Sequence, residues 1–229
     1  LFDAARKPRW GLIDLAIVYA AGVLLTLMMG RALAYVIMDT MNLFIAAALV
    51  QFIVFTGLVL FFSLWVNKAR PADLGIKKTS VCNLLLYGLL GGTFLMILML
   101  LMGIPISSLQ PDVEPQAFEQ MLRTAGHHYQ FFILLFLGMV MAPIAEELFY
   151  RGMVYPTVRS WLGPWWGAIL AGSLFGLAHW DLWRTIPLAA GGALLCYFYE
   201  KTGSIWVTVL AHGTWNGLMS LMVYYSFLV

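Results

Sequence analysis

Ionisable side chains are scarce beyond Tyr129. The charged residues there are Glu146, Glu147, Arg151, Arg159, Asp181, Arg184, Glu200 and Lys201, and His179 and His212 complete the set able to move protons. Three groups stand in apolar surroundings, where an ionisable residue at the centre of a membrane helix costs about 2.5 to 3.5 kcal/mol. In Glu146-Glu147-Leu148-Phe149-Tyr150-Arg151 the adjacent acids point about 100° apart on a helix, whereas Glu147 and Arg151, one turn apart, share a face and form an ion pair. That pairing leaves Glu146 as the carboxylate without a cation, which in a low dielectric suits a general base. The plainer alternative is that both acids mark the polar end of a helix. In Phe175-Gly176-Leu177-Ala178-His179 the ring and the imidazole lie on one face, with Gly172 and Gly176 spaced for close helix packing. An interfacial histidine beside Trp180 and Asp181 is the alternative there. In His212-Gly213-Thr214-Trp215-Asn216 the imidazole and the amide again share a face, and Gly213 and Gly217 let a neighbouring helix approach, which implies a polar interior site or, more plainly, an interhelical packing bond. Three such groups on three helices point to one shared site.

Apolar helices must carry these groups. Of 229 residues 62% are hydrophobic and 10% charged, against about 25% charged in a soluble domain, and so small a globule cannot bury the excess. Lipid covers it. The same figures exclude a disordered chain. They also exclude a disulfide-stapled secreted module, since Cys82 and Cys196 read as free thiols, and a nucleic-acid binder, since the net charge is only +2. Runs near the roughly 20 apolar residues that cross a hydrocarbon core fall at Gly11–Gly30, Leu43–Val66, Asn83–Ile104, Tyr129–Phe149, Pro164–His179, Pro187–Tyr199 and Ile205–Val229. The expected fold is all-α, a polytopic transmembrane bundle of about seven helices (six to eight) with a polar site inside. It is read as a single domain over 1–229 whose motif-bearing core is 129–229. The first run, though preceded by Arg6, Lys7 and Arg9, reads as a retained span and not a signal peptide. No fixed-period repeat is evident, which argues against a repeat-built transporter.

Lysine and arginine collect in alternate loops: Arg6, Lys7 and Arg9, then Lys68, Arg70, Lys77 and Lys78, then Arg151 and Arg159, then Lys201. The opposite loops hold Asp39, Asp112, Glu114 and Glu119 with Arg31, Arg123 and Arg184. This places the N-terminus in the cytoplasm and the C-terminus outside, in an integral membrane protein whose short inner loops fit a prokaryotic plasma membrane. The inner loop Asn67–Ser80 is expected on the membrane surface. The connection Pro105–His128 reads as an ordinary outer loop, with a substrate-gating element as the alternative. One geometric difficulty follows. At 1.5 Å per residue His212 would sit about 10 Å from the inner surface and His179 about 22 Å, so the connection Trp180–Pro187 is expected to be buried inside the bundle.

The three motifs, in this order, resemble the CPBP family of intramembrane proteases, which includes CAAX prenyl endopeptidases and bacteriocin-processing and immunity proteins. The family patterns Glu-Glu-x-x-x-Arg, Phe-x-x-x-His and His-x-x-x-Asn are complete here at Glu146, Glu147 and Arg151, at Phe175 and His179, and at His212 and Asn216. Asp73-Leu74-Gly75-Ile76 is similar to a loop often found in the family. The resemblance implies that Glu146 and His179 activate a water for attack on a peptide carbonyl and that His212 and Asn216 donate to the oxyanion. Glu147, Arg151 and Phe175 would support them. The implied substrate is a membrane-associated peptide or protein, including prenylated CAAX-type tails, with the lipid bilayer as the other partner. No nucleic acid is implied, and the oligomeric state stays open.

No cofactor is required on this reading. A zinc-dependent version would use Glu146, His179 and His212 as ligands; against it stand the missing His-Glu-x-x-His pattern and the engagement of Glu147 by Arg151. Cys82 and Cys196 belong to none of the clusters, and Ser173 lies off the face of His179, so thiol and serine nucleophiles are disfavoured. The rival functions are a proton-coupled transporter and a non-catalytic immunity or scaffold protein.

Overall fold

The computed structural model describes residues 7–110 and 114–226, the side chain of Ser107 apart. Arg6, Asp112 and the end of the last predicted span at Val229 lie outside the described residues. Those described form helices α1 (Leu12–Ala34), α2 (Thr40–Val66, its last turns π-helical), α3 (81–109), α4 (Ala117–Thr124), α5 (128–162), α6 (164–177), α7 (Leu182–Thr202) and α8 (Ile205–Tyr225). No strand occurs among them. On length and composition alone, Leu12–Ala34, Thr40–Val66, Val81–Ile106 and His128–Leu177 are long and apolar enough to cross a membrane. The last of these is two passes. Gly163 breaks it at φ 75°, a backbone setting that L side chains rarely adopt, and Pro164 follows. A Cβ on Gly167 would lie 2.8 Å from Cα of Arg159, so the chain folds back on itself. With α7 and α8, seven helices among the described residues run from one end of the molecule to the other, and the protein is an all-helical membrane bundle.

The ends of the bundle are tied differently. At one end, Arg9 donates to the Lys68 carbonyl (2.8 Å) and the Trp10 indole to the Met153 carbonyl (3.1 Å). The loop after α2, expected on the membrane surface, is anchored to the protein by its own contacts. It tucks under the α7–α8 turn, with Leu74 fully buried, the Ile205 amide donating to Gly75 (2.9 Å) and the Ser204 hydroxyl to Lys77 (2.9 Å). At the other end, Arg184 at the start of α7 meets the carbonyl of Glu114, and Tyr224 meets His128. The start of α1 and the end of α8 therefore lie at opposite ends, as an odd number of passes requires.

Two expectations about the connections need correcting. The 105–128 stretch is not a plain loop: α3 runs on through Pro105 to Leu109, and α4 is amphipathic, sending Leu122 into a core with Phe131, Leu134 and Tyr224. Nor is the connection 180–187 buried. Trp180 is exposed, and α7 already begins at Leu182 because the Asp181 carboxylate caps it, accepting from the Arg184 amide (3.1 Å). The two histidine depths reconcile from the opposite side. Ser204 and Ile205 are themselves buried beneath the 70–78 loop, so α8 starts inside the protein and His212 is correspondingly deeper.

Candidate active site

Prolines in α5 shape the site before any charged residue does. Pro143 has no N–H to offer the carbonyl one turn earlier, and the preceding turn, Leu137–Met141, is π-helical. The freed carbonyls face α8. Gly138 accepts from the Asn216 amide nitrogen at 2.9 Å, and the Met139 carbonyl comes so near Gly213 that a Cβ there would stand 2.2 Å away. Gly213 is therefore required for close approach, as the sequence spacing implied. A second π-helical stretch, Leu148–Val154, precedes Pro156 and holds Arg151. The two acids sit between these π turns, a setting common at functional sites.

Glu147 and Arg151 are both 0% exposed and 2.8 Å apart, so the ion pair predicted from their spacing forms. The guanidinium also donates to the Gly192 carbonyl of α7 (2.9 Å) and lies over the Phe175 ring, 4.9 Å from its centroid, a cation–π contact. Glu147 does more than the sequence implied. Its Oε1 also accepts from Nδ1 of His212 at 2.8 Å, since a carboxylate paired with arginine can only accept. That contact fixes the tautomer and leaves Nε2 of His212 facing Glu146, 3.8 Å from its Oε2. His179 is oriented by the same logic: Nδ1 donates to the Phe175 carbonyl (2.9 Å), leaving Nε2 with its lone pair. The Phe175 ring links the two imidazoles, with centroids 4.8 Å from His179 and 5.6 Å from His212. Trp215 stacks on the other side of His212 at 5.4 Å.

The side chains of Glu146, His179, His212 and Asn216 all line one cavity of about 1080 Å³. The convergence expected from three separate helices is thus present in the geometry. The remaining wall is largely apolar, including Tyr19 and Phe55 from the N-terminal helices and Phe149 beside the acids. Glu146 keeps about a quarter of its side chain accessible while Glu147 keeps none, so the adjacent acids have different settings, as their angular separation on a helix dictates. Among the described residues no group of three or more His, Cys, Asp or Glu side chains is placed to hold a metal ion.

Sequence reasoning missed the Gly138 carbonyl, Trp215 and Arg184. Pro143 was the available signal for the first, because a proline inside a helix always orphans a carbonyl behind it.

Comparison with known proteins bears on the same part of the chain. Residues 128–218, the segment that bears all three motifs, match the family of type II CAAX prenyl endopeptidases, Rce1-like. Among curated proteins it is similar to the "Putative membrane peptidase YdiL" of Bacillus subtilis (strain 168), 23% identical over 90 residues, covering 39% of this chain and 37% of that protein. It is also similar to the "Uncharacterized protein YyaK" of the same organism, 29% identical over 106 residues, covering 41% and 36%. The chain thus spans little more than a third of either relative. No solved structure matches it.

Proposed function

We propose that the protein is an intramembrane endopeptidase that hydrolyses a peptide bond of a membrane-associated protein or peptide, prenylated CAAX-type tails included. The observation that carries this reading is that Glu146, 3.8 Å from Nε2 of His212, shares one apolar-walled cavity with His179 and Asn216. Glu146 takes a proton from a water held between it and Nε2 of His179, and the water oxygen bonds to the carbonyl carbon. The resulting oxyanion accepts from the amide hydrogen of Asn216 not used on Gly138, and from Nε2 of His212. Donation from Nε2 requires a hydrogen on that nitrogen as well as on Nδ1, which the Glu147 carboxylate holds in place. Glu146 then returns its proton to the leaving amine as the C–N bond breaks. Glu147 positions His212 as well as pairing with Arg151. The N-terminus lies in the cytoplasm of a prokaryotic plasma membrane on this proposal.

The test is proteolysis of prenylated and unprenylated peptides by purified protein. Glu146→Gln is expected to abolish cleavage while leaving the folded yield unchanged, because the amide keeps the shape of a side chain that is already about a quarter accessible. A scaffold would keep its cellular phenotype with this substitution. Treatment with a strong chelator is expected to leave cleavage intact; loss restored by added zinc would make Glu146 and the histidines ligands.

A further inference from the structure

The mouth of the cavity holds an arginine that the catalytic residues do not use. Arg184 lines both the main cavity and a shallower recess of about 570 Å³ bordered by His179, Trp180 and Asp181. Across that recess runs the extended stretch 114–116, which leads into α4. Both terminal nitrogens of Arg184, Nη1 and Nη2, donate to one main-chain oxygen, the carbonyl of Glu114, at 3.0 Å each. The chain has thus laid a piece of its own extended backbone beside His179 and clamped it by a carbonyl. Glu114 precedes Pro115, which biases it toward this extended form.

The geometry assigns Arg184 a second role, as the subsite that grips a main-chain carbonyl of the peptide entering this site, in the place Glu114 now occupies. Charge decides what kind of group fits. Arg184 already pairs closely with Asp181 and has Glu119 at 3.9 Å, and Glu119 is itself paired with Arg123. Arg184, Asp181, Glu119 and Arg123 carry no net charge between them, and Glu114 brings a further acid. A further carboxylate would add an uncompensated negative charge, whereas a peptide carbonyl keeps the balance and still accepts both N–H groups. The ligand is therefore the interior of an extended peptide and not a free C-terminus, and the 114–116 stretch competes with it. Phe118, which follows directly, packs so closely on Gly138 that a Cβ there would stand 2.6 Å from its ring. Displacing the stretch consequently also loosens the contact over the π turn that carries the Asn216 acceptor.

This subsite rests on the peptidase reading only in naming the peptide as substrate, so binding is measured without turnover, in full-length protein carrying Glu146→Gln. The probe is an apolar decapeptide of alternating Leu and Ala, acetylated and amidated, with a photoreactive label. Arg184→Gln is expected to weaken its binding about tenfold, the effect of losing a charge-assisted hydrogen bond, with Arg184→Lys between the two. Pro115→Gly, which relaxes the competing stretch and leaves Arg184 in place, is expected to tighten binding about two- to fivefold. Equal binding by Arg184→Gln, or no gain from Pro115→Gly, overturns the assignment. A gain that depends on Arg184 when the decapeptide carries a free C-terminal carboxylate overturns the carbonyl preference. Should the parent protein cleave no peptide while the Arg184 dependence holds, the subsite stands and the peptidase reading falls.

Discussion

Two arginine–glutamate pairs hold this bundle together, and they are built on opposite plans. Glu147 and Arg151 lie one turn apart on α5, both fully buried, and their partnership extends to His212 and the Phe175 ring. Arg159 and Glu200 come from α5 and α7, and their pair is bidentate: Nε to Oε2 at 2.7 Å and Nη2 to Oε1 at 2.6 Å. Tyr155 donates to the same carboxylate at 2.8 Å. Glu200 keeps 22% of its side chain accessible. The first pair is a local feature with a distant dependant, the second a long-range tie whose members do not line the cavity. Burial alone therefore does not mark a site. What distinguishes the first pair is that one of its members also orients a group whose other end is free.

Breaking the pairs separately sharpens that difference. Arg151→Ala has the largest expected effect: it strands Glu147 as an uncompensated buried charge, costing about 3 to 5 kcal/mol, so folded protein and cleavage are lost together, as read by size-exclusion profile and proteolysis. Asn216→Ala comes next, with a fall in turnover of about 10²- to 10³-fold, the usual cost of one oxyanion donor, in protein that still purifies as a single species. Glu200→Gln removes the charge of the second pair but keeps its shape. It is expected to lower stability by about 1 to 2 kcal/mol after allowing for the solvent that reaches it, with turnover unchanged in the surviving protein. Tyr155→Phe is smallest, about 1 kcal/mol for one hydrogen bond; a shift in the melting temperature without change in cleavage is the measurement. Loss of turnover in Glu200→Gln at full folded yield would erase the distinction between the pairs.

The same contrast explains what could be read from the residues in order. Glu147–Arg151, Phe175 with His179, and His212 with Asn216 are one-turn spacings, and helical periodicity makes them legible. The seven passes were legible too, because long apolar runs have no other home than lipid. Arg159 and Glu200, by contrast, looked like loop charges, since nothing in their spacing reveals that α5 and α7 meet. The link between two of the named residues was hidden similarly: the His212–Glu147 bond joins residues 65 apart. Helix α4 escaped a search for long apolar runs because it is short and two-faced, yet Phe118, Met121, Leu122 and Ala125 carry its helical spacing. The early start of α7 escaped because Pro187 looked like a beginning, although Asp181 was the true cap. Glu119 and Arg184 were read as outer-loop charges for the same reason.

The break at Gly163 also bears on the mechanics of the bilayer. Residues 164–177 rise about 21 Å at 1.5 Å per residue, well short of a hydrocarbon core about 30 Å thick. Trp161, Trp165 and Trp166 stand exposed at one end of this short helix, and Trp180 and Trp183 at the other. Indole rings settle at the headgroup level. Two such girdles spaced so closely pull the two leaflets toward each other along this flank, or tilt the whole bundle until the path lengthens. Either response brings headgroups and their hydration nearer to His179, at the tip of the same helix, so the short helix also shortens the distance from the membrane surface to the cavity that His179 lines.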